Sequence, residues 1–292
     1  MRGTYKKGNN PMLVTLKEIL KIAEAKKIAI GSFNTTGLEC CEAVIGAAEE
    51  LGQPVIIMHA QVHEEMGLNT LDVIGRVMMM MAERASVPVC VHLDHGTDLA
   101  YLKKALDLGF TSIMYDGSTL PYAENLANTC VAVEMAKRYG ASVEAEMGSM
   151  GIRDKSPDDP DNLYTDPEAA VSFVRDSKID ALACAFGTVH GLYFTEPKLD
   201  FARLEKIDKL IDIPLVMHGG SGVSDEDYRH VISLGIRKIN YYTYMAKAAG
   251  SAVADFENKL YFHDIAVCAT KAMRENAKHA IEVFSNLTAD KA

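Results

Sequence analysis

Pro88-Val89-Cys90-Val91-His92-Leu93-Asp94-His95-Gly96 is an apolar run of strand length that closes on two imidazoles, a carboxylate and a glycine. Buried ionisable groups are costly unless they are paired or bound to a metal, so a run ending this way belongs at the rim of a core, where chemistry can use it. Two further histidines end similar runs: His190 in Phe186-Gly187-Thr188-Val189-His190-Gly191, and His218 in Pro214-Leu215-Val216-Met217-His218-Gly219-Gly220-Ser221-Gly222. Three strand-end histidines, each beside glycine, point to a convergent metal site with an open position, the usual layout for catalytic zinc.

Outward from that stretch, short apolar runs alternate with longer amphipathic segments. Strands are predicted at Ile28–Phe33, Pro54–Met58, Pro88–Leu93, Ser112–Tyr115, Ser142–Glu146, Ala181–Phe186, Pro214–Met217 and Lys238–Asn240. Helices are predicted at Leu38–Leu51, Thr70–Ala85, Leu99–Leu108, Ala123–Tyr139, Pro167–Asp176, Phe201–Leu210 and Asp225–Leu234, with another beginning near Met245. Ser224, Asp166-Pro167 and Thr97-Asp98 mark helix starts; Gly109, Gly140 and Gly235 mark stops. Eight continuous apolar strands with helices between them predict an α/β fold, a single-domain (β/α)8 TIM barrel over 12–292 that follows a loose leader at 1–11. A C-terminal helical extension, Ile265–Phe284, is expected to cap the barrel or reach a neighbouring subunit. The alternative, an open doubly wound sheet, needs G-x-G-x-x-G after the first strand, and Gly31-Ser32-Phe33-Asn34 does not supply it. The Asp- and Pro-rich stretch Gly151–Tyr164 is expected to be an active-site lid.

In a barrel, chemistry sits at the carboxyl ends of the strands. Asn34, Asp94 with His95, Asp116, Glu146, His190, His218 and Asn240 are all expected there. Successive strand residues face opposite ways, so Asp94 and His95 reach one centre only if the strand bends, which Gly96 would permit. His92 reads as a hydrogen-bonded interior histidine. Asp116 and Glu146 are open between second metal ligands, supports for the ligands, and structural carboxylates paired with a lysine. His59 and His63 lie near the mouth, within reach of a substrate; His230, His263 and His279 read as surface residues on helices. Gly219-Gly220-Ser221-Gly222 and the Asn240–Thr243 loop form the expected phosphate site after strands seven and eight. Met78-Met79-Met80-Met81 reads as adaptable core.

With 292 residues, 48% of them hydrophobic, the chain can bury a full core. A formal net charge of −10, with Lys and Arg scattered, leaves no basic field for a nucleic acid. No apolar stretch approaches the roughly 20 residues of a membrane span, and the N-terminus carries no apolar signal region. Six cysteines, none in C-x-x-C, fit free thiols of a reducing compartment, read here as the cytoplasm.

Together, Val91-His92-Leu93-Asp94-His95-Gly96, Val143-Glu144-Ala145-Glu146-Met147-Gly148, Gly187-Thr188-Val189-His190-Gly191 and His218-Gly219-Gly220-Ser221-Gly222 resemble the class II, metal-dependent ketose-bisphosphate aldolases, the family of fructose- and tagatose-bisphosphate aldolases. The resemblance runs from about Leu13 to the last helix. It implies one catalytic zinc on His95, His190 and His218, and allows a monovalent cation beside it. It further implies Asp94 as the proton carrier, and Gly191, Gly219, Gly220, Ser221, Asn240 and Thr243 around the phosphate of a dihydroxyacetone phosphate half, with Asn34 lining the site. The implied partners are a phosphosugar substrate and further copies of the chain in a homodimer or homotetramer, with neither nucleic acid nor membrane.

The chain also departs from the family's pattern. The glycine-rich stretch that usually ends in a proton-donating glutamate reads Gly148-Ser149-Met150-Gly151-Ile152-Arg153-Asp154, so Asp154 is the expected substitute. Asn240-Tyr241-Tyr242-Thr243-Tyr244 carries tyrosines where the family has acidic or small residues. Phe262-His263-Asp264-Ile265 stands where fructose-specific members carry Asp-Pro-Arg, which predicts a less cationic, more aromatic distal pocket. A phosphosugar epimerase or isomerase and a catalytically silent phosphosugar-binding homologue are the competing functions.

Overall fold

The computed structural model describes residues 12–148, 164–191, 197–257 and 259–287. Eight parallel strands close into a barrel in sequence order: β1 Ile30–Asn34, β2 Val55–Ala60, β3 Val89–Gly96, β4 Ser112–Tyr115, β5 Ser142–Met147, β6 Ala181–Cys184, β7 Leu215–Met217 and β8 Ile236–Tyr241, with β8 paired to β1. The barrel is the predicted fold, and each strand boundary falls within three residues of its predicted place. The helices are α1 Leu16–Lys26, α2 Leu38–Leu51, α3 Gln61–Glu65, α4 Leu71–Arg84, α5 Leu99–Asp107, α6 Tyr122–Tyr139, α7 Pro167–Ser177, α8 Phe201–Leu210, α9 Asp225–Ser233, α10 Thr243–Asp255 and α11 Phe262–Phe284.

Helix α1 is missing from the sequence expectation, although its signal is present. Thr15 and Glu18 form a reciprocal capping box, and the helix ends on Lys27 in the left-handed conformation (φ 54°), whose amide returns to Ala23 and Glu24. Each half of such a box satisfies an amide the helix leaves unpaired. The Ile28 amide also bonds Ala23, so the end of the helix claims residues 27 and 28 and the first strand starts later than predicted. The apolar face of α1, Leu16, Ile19, Leu20 and Ala23, packs on inward-facing Ile30, Ile56, Met58, Cys90, Ala181, Ala183 and Val216, closing the amino end of the barrel. That is the capping role the sequence expectation offered to the C-terminal helix. Instead α11 lies outside the barrel against α2 and α10, where its apolar stripe finds a partner, and Phe284 packs edge-on against Tyr228 and Tyr241.

The larger apolar shell lies between the strands and the outer helices, and includes Met78 of the methionine run. All six cysteines are free thiols. Among the described residues no helix is long and apolar enough to cross a membrane. The leader at 1–11, and the expected lid apart from Tyr164, lie outside the described residues.

Candidate active site

The inward positions change character along each strand. On β3 they run Cys90, His92, Asp94, and on β1 Ile30, Ser32, Asn34, from the apolar plug towards the carboxyl end. On β5 they are Ser142, Glu144 and Glu146, and on β8 Lys238 and Asn240, all buried.

The bend that brings Asp94 and His95 to one centre is made by His95 itself, which sits at φ 46°, where the β3–β4 register shifts between Leu93 and Gly96. A left-handed non-glycine residue costs roughly 1–2 kcal/mol and marks a constraint imposed by its surroundings. Gly96 has a different role from the one expected. A Cβ there would lie 2.4 Å from Leu102 Cδ1 and 3.1 Å from the Met114 carbonyl oxygen, so the glycine permits close packing and not the turn. His190 is also displaced from expectation. Strand β6 stops at Cys184, and Gly187 (φ +116°) turns the chain against the Lys198 carbonyl, so His190 stands in the following loop, exposed at the mouth.

The three histidines nonetheless converge. The rings of His95 and His190 are 5.0 Å apart, those of His95 and His218 4.6 Å, and one nitrogen of each lies within 4.8 Å of the others. His95 Nδ1 meets Asp116 Oδ2 at 2.6 Å, and His218 Nε2 meets Glu144 Oε1 at 2.7 Å. Each ring donates a hydrogen bond to its carboxylate, so the remaining nitrogens, His95 Nε2 and His218 Nδ1, which face each other at 3.0 Å, are left to share a proton or a metal ion. A divalent ion bound between them would displace that proton. The carboxylate-backed imidazole is also the arrangement that fixes tautomer and raises ligand basicity at metal sites. Glu146 Oε2, buried without a hydrogen-bond partner 3.5 Å from His218 Nδ1, is a further ready donor, and His95, Asp116 and Glu146 make a second possible ligand group. The residues present therefore fit a divalent ion.

The electrostatics agree. Burial pushes the Glu146 carboxyl up to about 8, with Asp116 adding to the rise. Burial works against a charged His95, yet Asp94 and the Asp116 hydrogen bond lift it to about 10. The site holds more negative charge than its side chains neutralise, and it retains protons where a metal would serve.

Asp94 is held by two amides. Asn34 Nδ2 donates to Oδ2 and Asn240 Nδ2 to Oδ1, each at 3.0 Å. Burial opposes its ionisation, but His95, His218 and Lys238 keep the carboxyl well below the usual range. Beneath this layer lie two residues the sequence expectation did not single out. Lys238, fully buried, forms an ion pair with Glu144 (Oε2 at 2.9 Å), donates to Glu144 Oε1 at 3.3 Å and to Asn240 Oδ1 at 2.6 Å, tying the support of His218 to the support of Asp94. Burial opposes the Glu144 charge, yet Lys238 and His218 bring its carboxyl down to about 2. The signal was available: Glu144 and Glu146, and Lys238 and Asn240, stand two apart on strands, the spacing that places both members on one face. His92 is the interior histidine expected, with Nδ1 2.8 Å from Ser112 Oγ.

The loops after β7 and β8, expected to take the phosphate, lie against each other. Gly220 N donates to the Asn240 carbonyl, Tyr242 N donates to Ser221 Oγ at 3.0 Å, and Gly191, Gly219 and Gly222 all take positive φ. A Cβ at Gly219 would lie 2.5 Å from the Val189 carbonyl oxygen, which packs the His218 loop against the His190 loop. Thr243 opens α10 beside them. The side-chain amide of Asn240, assigned to phosphate by resemblance, is directed to Asp94. His230, His263 and His279 lie at the surface, as expected. Asp154 lies outside the described residues.

Comparison with known proteins places this architecture. The profile of the family described as fructose-bisphosphate aldolase class-II matches residues 14–288. The fructose-bisphosphate aldolase of Geobacillus stearothermophilus is 40% identical over 264 residues, covering 90% of this chain and 85% of that protein. The probable fructose-bisphosphate aldolase of Bacillus subtilis is 39% identical over 244 residues, covering 83% and 86%. Among solved structures, the YdjI aldolase of Escherichia coli K12 superposes with a TM-score of 0.84 at 35% identity, over 93% of this chain and 97% of that one.

Proposed function

Because the chain belongs to the class II fructose-bisphosphate aldolase family, we propose that it carries out aldol cleavage of a phosphorylated ketose with one zinc ion held by His95, His190 and His218. Aldol cleavage is the family's activity, which sets aside the epimerase and silent-binder alternatives that the sequence left open. Zinc in this site supplies a Lewis acid for the ketose carbonyl and for the charge left when the carbon–carbon bond breaks.

Asp94 accepts the proton of the hydroxyl that becomes the aldehyde, its carboxylate aimed by Asn34 and Asn240. Asp116 and Glu144 hold the tautomers of His95 and His218. Gly191, Gly219, Gly220, Ser221, Asn240 and Thr243 surround the phosphate of the dihydroxyacetone phosphate half, where loop amides and a helix start suit an anion. Asp154, which follows β5 in the chain, is the residue assigned to return a proton to that half. We also read the enzyme as a cytoplasmic homodimer or homotetramer.

The observation that carries the reading is the 3.0 Å approach of two ring nitrogens, His95 Nε2 and His218 Nδ1, on rings each backed by a carboxylate, beside Asp94. Metal analysis of the purified protein, joined to a triose phosphate release assay across ketose phosphates with and without a chelator, tests it. One equivalent of zinc and chelator-sensitive release are expected; metal-independent cleavage would refute the reading.

A further inference from the structure

The segment after β2 is held on every side. Gln61 Oε1 accepts from the Thr97 amide at 3.3 Å, and Asn69 Nδ2 donates to the Thr36 carbonyl at 2.9 Å. Glu64 Oε2 accepts both the Tyr101 hydroxyl (2.8 Å) and the Leu71 amide (2.9 Å), while His59 Nε2 lies 2.9 Å from the same hydroxyl. These bonds fix α3 to the loops after β1 and β3 and to helices α4 and α5. The side chain left without such employment is His63. It is only 6% exposed, its Nδ1 is buried with no partner, and its ring packs at 5.1 Å on the ring of Tyr242, which is tied in turn to Thr36.

The position matters because Ala60, the last residue of β2, pairs with Asp94. Among the described residues, Asp94 and His95 are the charged groups near enough to bear on His63. Neither His63, kept neutral by burial, nor Tyr242 offers a positive charge to hold a phosphate, and the wall they form suits an uncharged hydroxyl. Leaving the buried Nδ1 as a bare acceptor puts the ring's proton on Nε2, a neutral donor. Burial favours the neutral ring as well.

We propose that His63, backed by Tyr242, is a substrate-binding residue that hydrogen-bonds a hydroxyl of the aldehyde half, and that the enzyme acts on ketose 1-phosphates whose far end is an uncharged polyol. This rests on the aldolase reading above and names its substrate class. A pocket built to hydrogen-bond a hydroxyl discriminates strongly against groups that leave its buried donor unpaired.

The test compares wild-type enzyme with His63→Phe, which keeps a ring against Tyr242, and His63→Gln, which keeps a donor. Cleavage is measured on a panel of ketohexose 1-phosphates of each configuration at the cleaved bond and on the matching 1,6-bisphosphates. Exchange of dihydroxyacetone phosphate protons with deuterated solvent is followed by NMR. Wild-type enzyme should favour 1-phosphates. His63→Phe should lower kcat/KM on them about tenfold or more, with His63→Gln intermediate and the exchange reaction within about threefold of wild type. Preference for the bisphosphate, unchanged cleavage by His63→Phe, or parallel loss of cleavage and exchange would each overturn the assignment. Absence of exchange in the wild-type enzyme would instead strike the aldolase reading itself.

Discussion

The two ends of the barrel interior are built from the same strands with opposite chemistry. At the amino end, Ile30, Cys90 and Val216 face Leu16, Ile19 and Leu20 of α1 in a dry contact. A few residues further along those strands, Asn34, Asp94 and His218 enter a network of charged and polar groups with Glu144, Lys238 and Asn240. Apolar burial, at about 25 cal/mol per Å2, stabilises the first end whatever the fine geometry. Buried charges stabilise the second only while every partner is in place. The comparison implies that the amino end holds the fold and the carboxyl end spends stability on chemistry.

The largest expected effect comes from cutting the carboxyl end at its centre. His218→Ala should lose stoichiometric metal and reduce turnover by about 10³-fold or more, because Lewis-acid stabilisation is worth several kcal/mol. Metal content and triose phosphate release measure both, and full occupancy with normal turnover would break the comparison at once. Asp94→Asn preserves shape and should keep the metal while losing about 10²- to 10⁴-fold in turnover. Near-normal rates would move the proton step to another group.

The amino end should answer in stability alone. Leu20, 1% exposed on α1, packs in the plug, and Leu20→Ala should cost about 2–5 kcal/mol. Denaturant unfolding measures the loss, and kcat of the folded variant should stay within about threefold of wild type. A large fall in kcat without loss of stability would show that the plug aims the site.

A smaller effect, in pH, sharpens the contrast. Glu146 titrates near 8 in the folded protein instead of 4.5, and His95 near 10 instead of 6.5. Both bind protons more tightly when folded, so their stabilisation is complete below 4.5 and 6.5 and is lost as pH rises through 8 and 10. Burial keeps His59, His63, His92, His190 and His218 neutral, so stability rises with pH up to about 6.5; the thermal midpoint of metal-free protein should therefore decline only above about pH 7, through 8 and beyond, while metal affinity rises as the Glu146 and His95 protons are displaced. Midpoints that climb across that window in the metal-free protein would contradict the assignment.

Much of this was legible in the sequence because it depends on periodicity. Apolar runs separated by amphipathic segments predict eight strands and the helices between them, and polar residues at one end of each run predict which end does chemistry. Helix α1 was legible too, through Thr15 and Glu18, but a capping box announces a helix without saying what it covers. The tertiary structure alone decided that α1 plugs the barrel, that α11 does not, and that His190 joins from a loop. It also decided that Lys238 links two supports whose residues are far apart in the chain. The reason is physical. Facing and burial follow from local spacing, whereas a buried lysine, a left-handed His95 and two facing ring nitrogens exist only because closure brings distant strands within hydrogen-bond range.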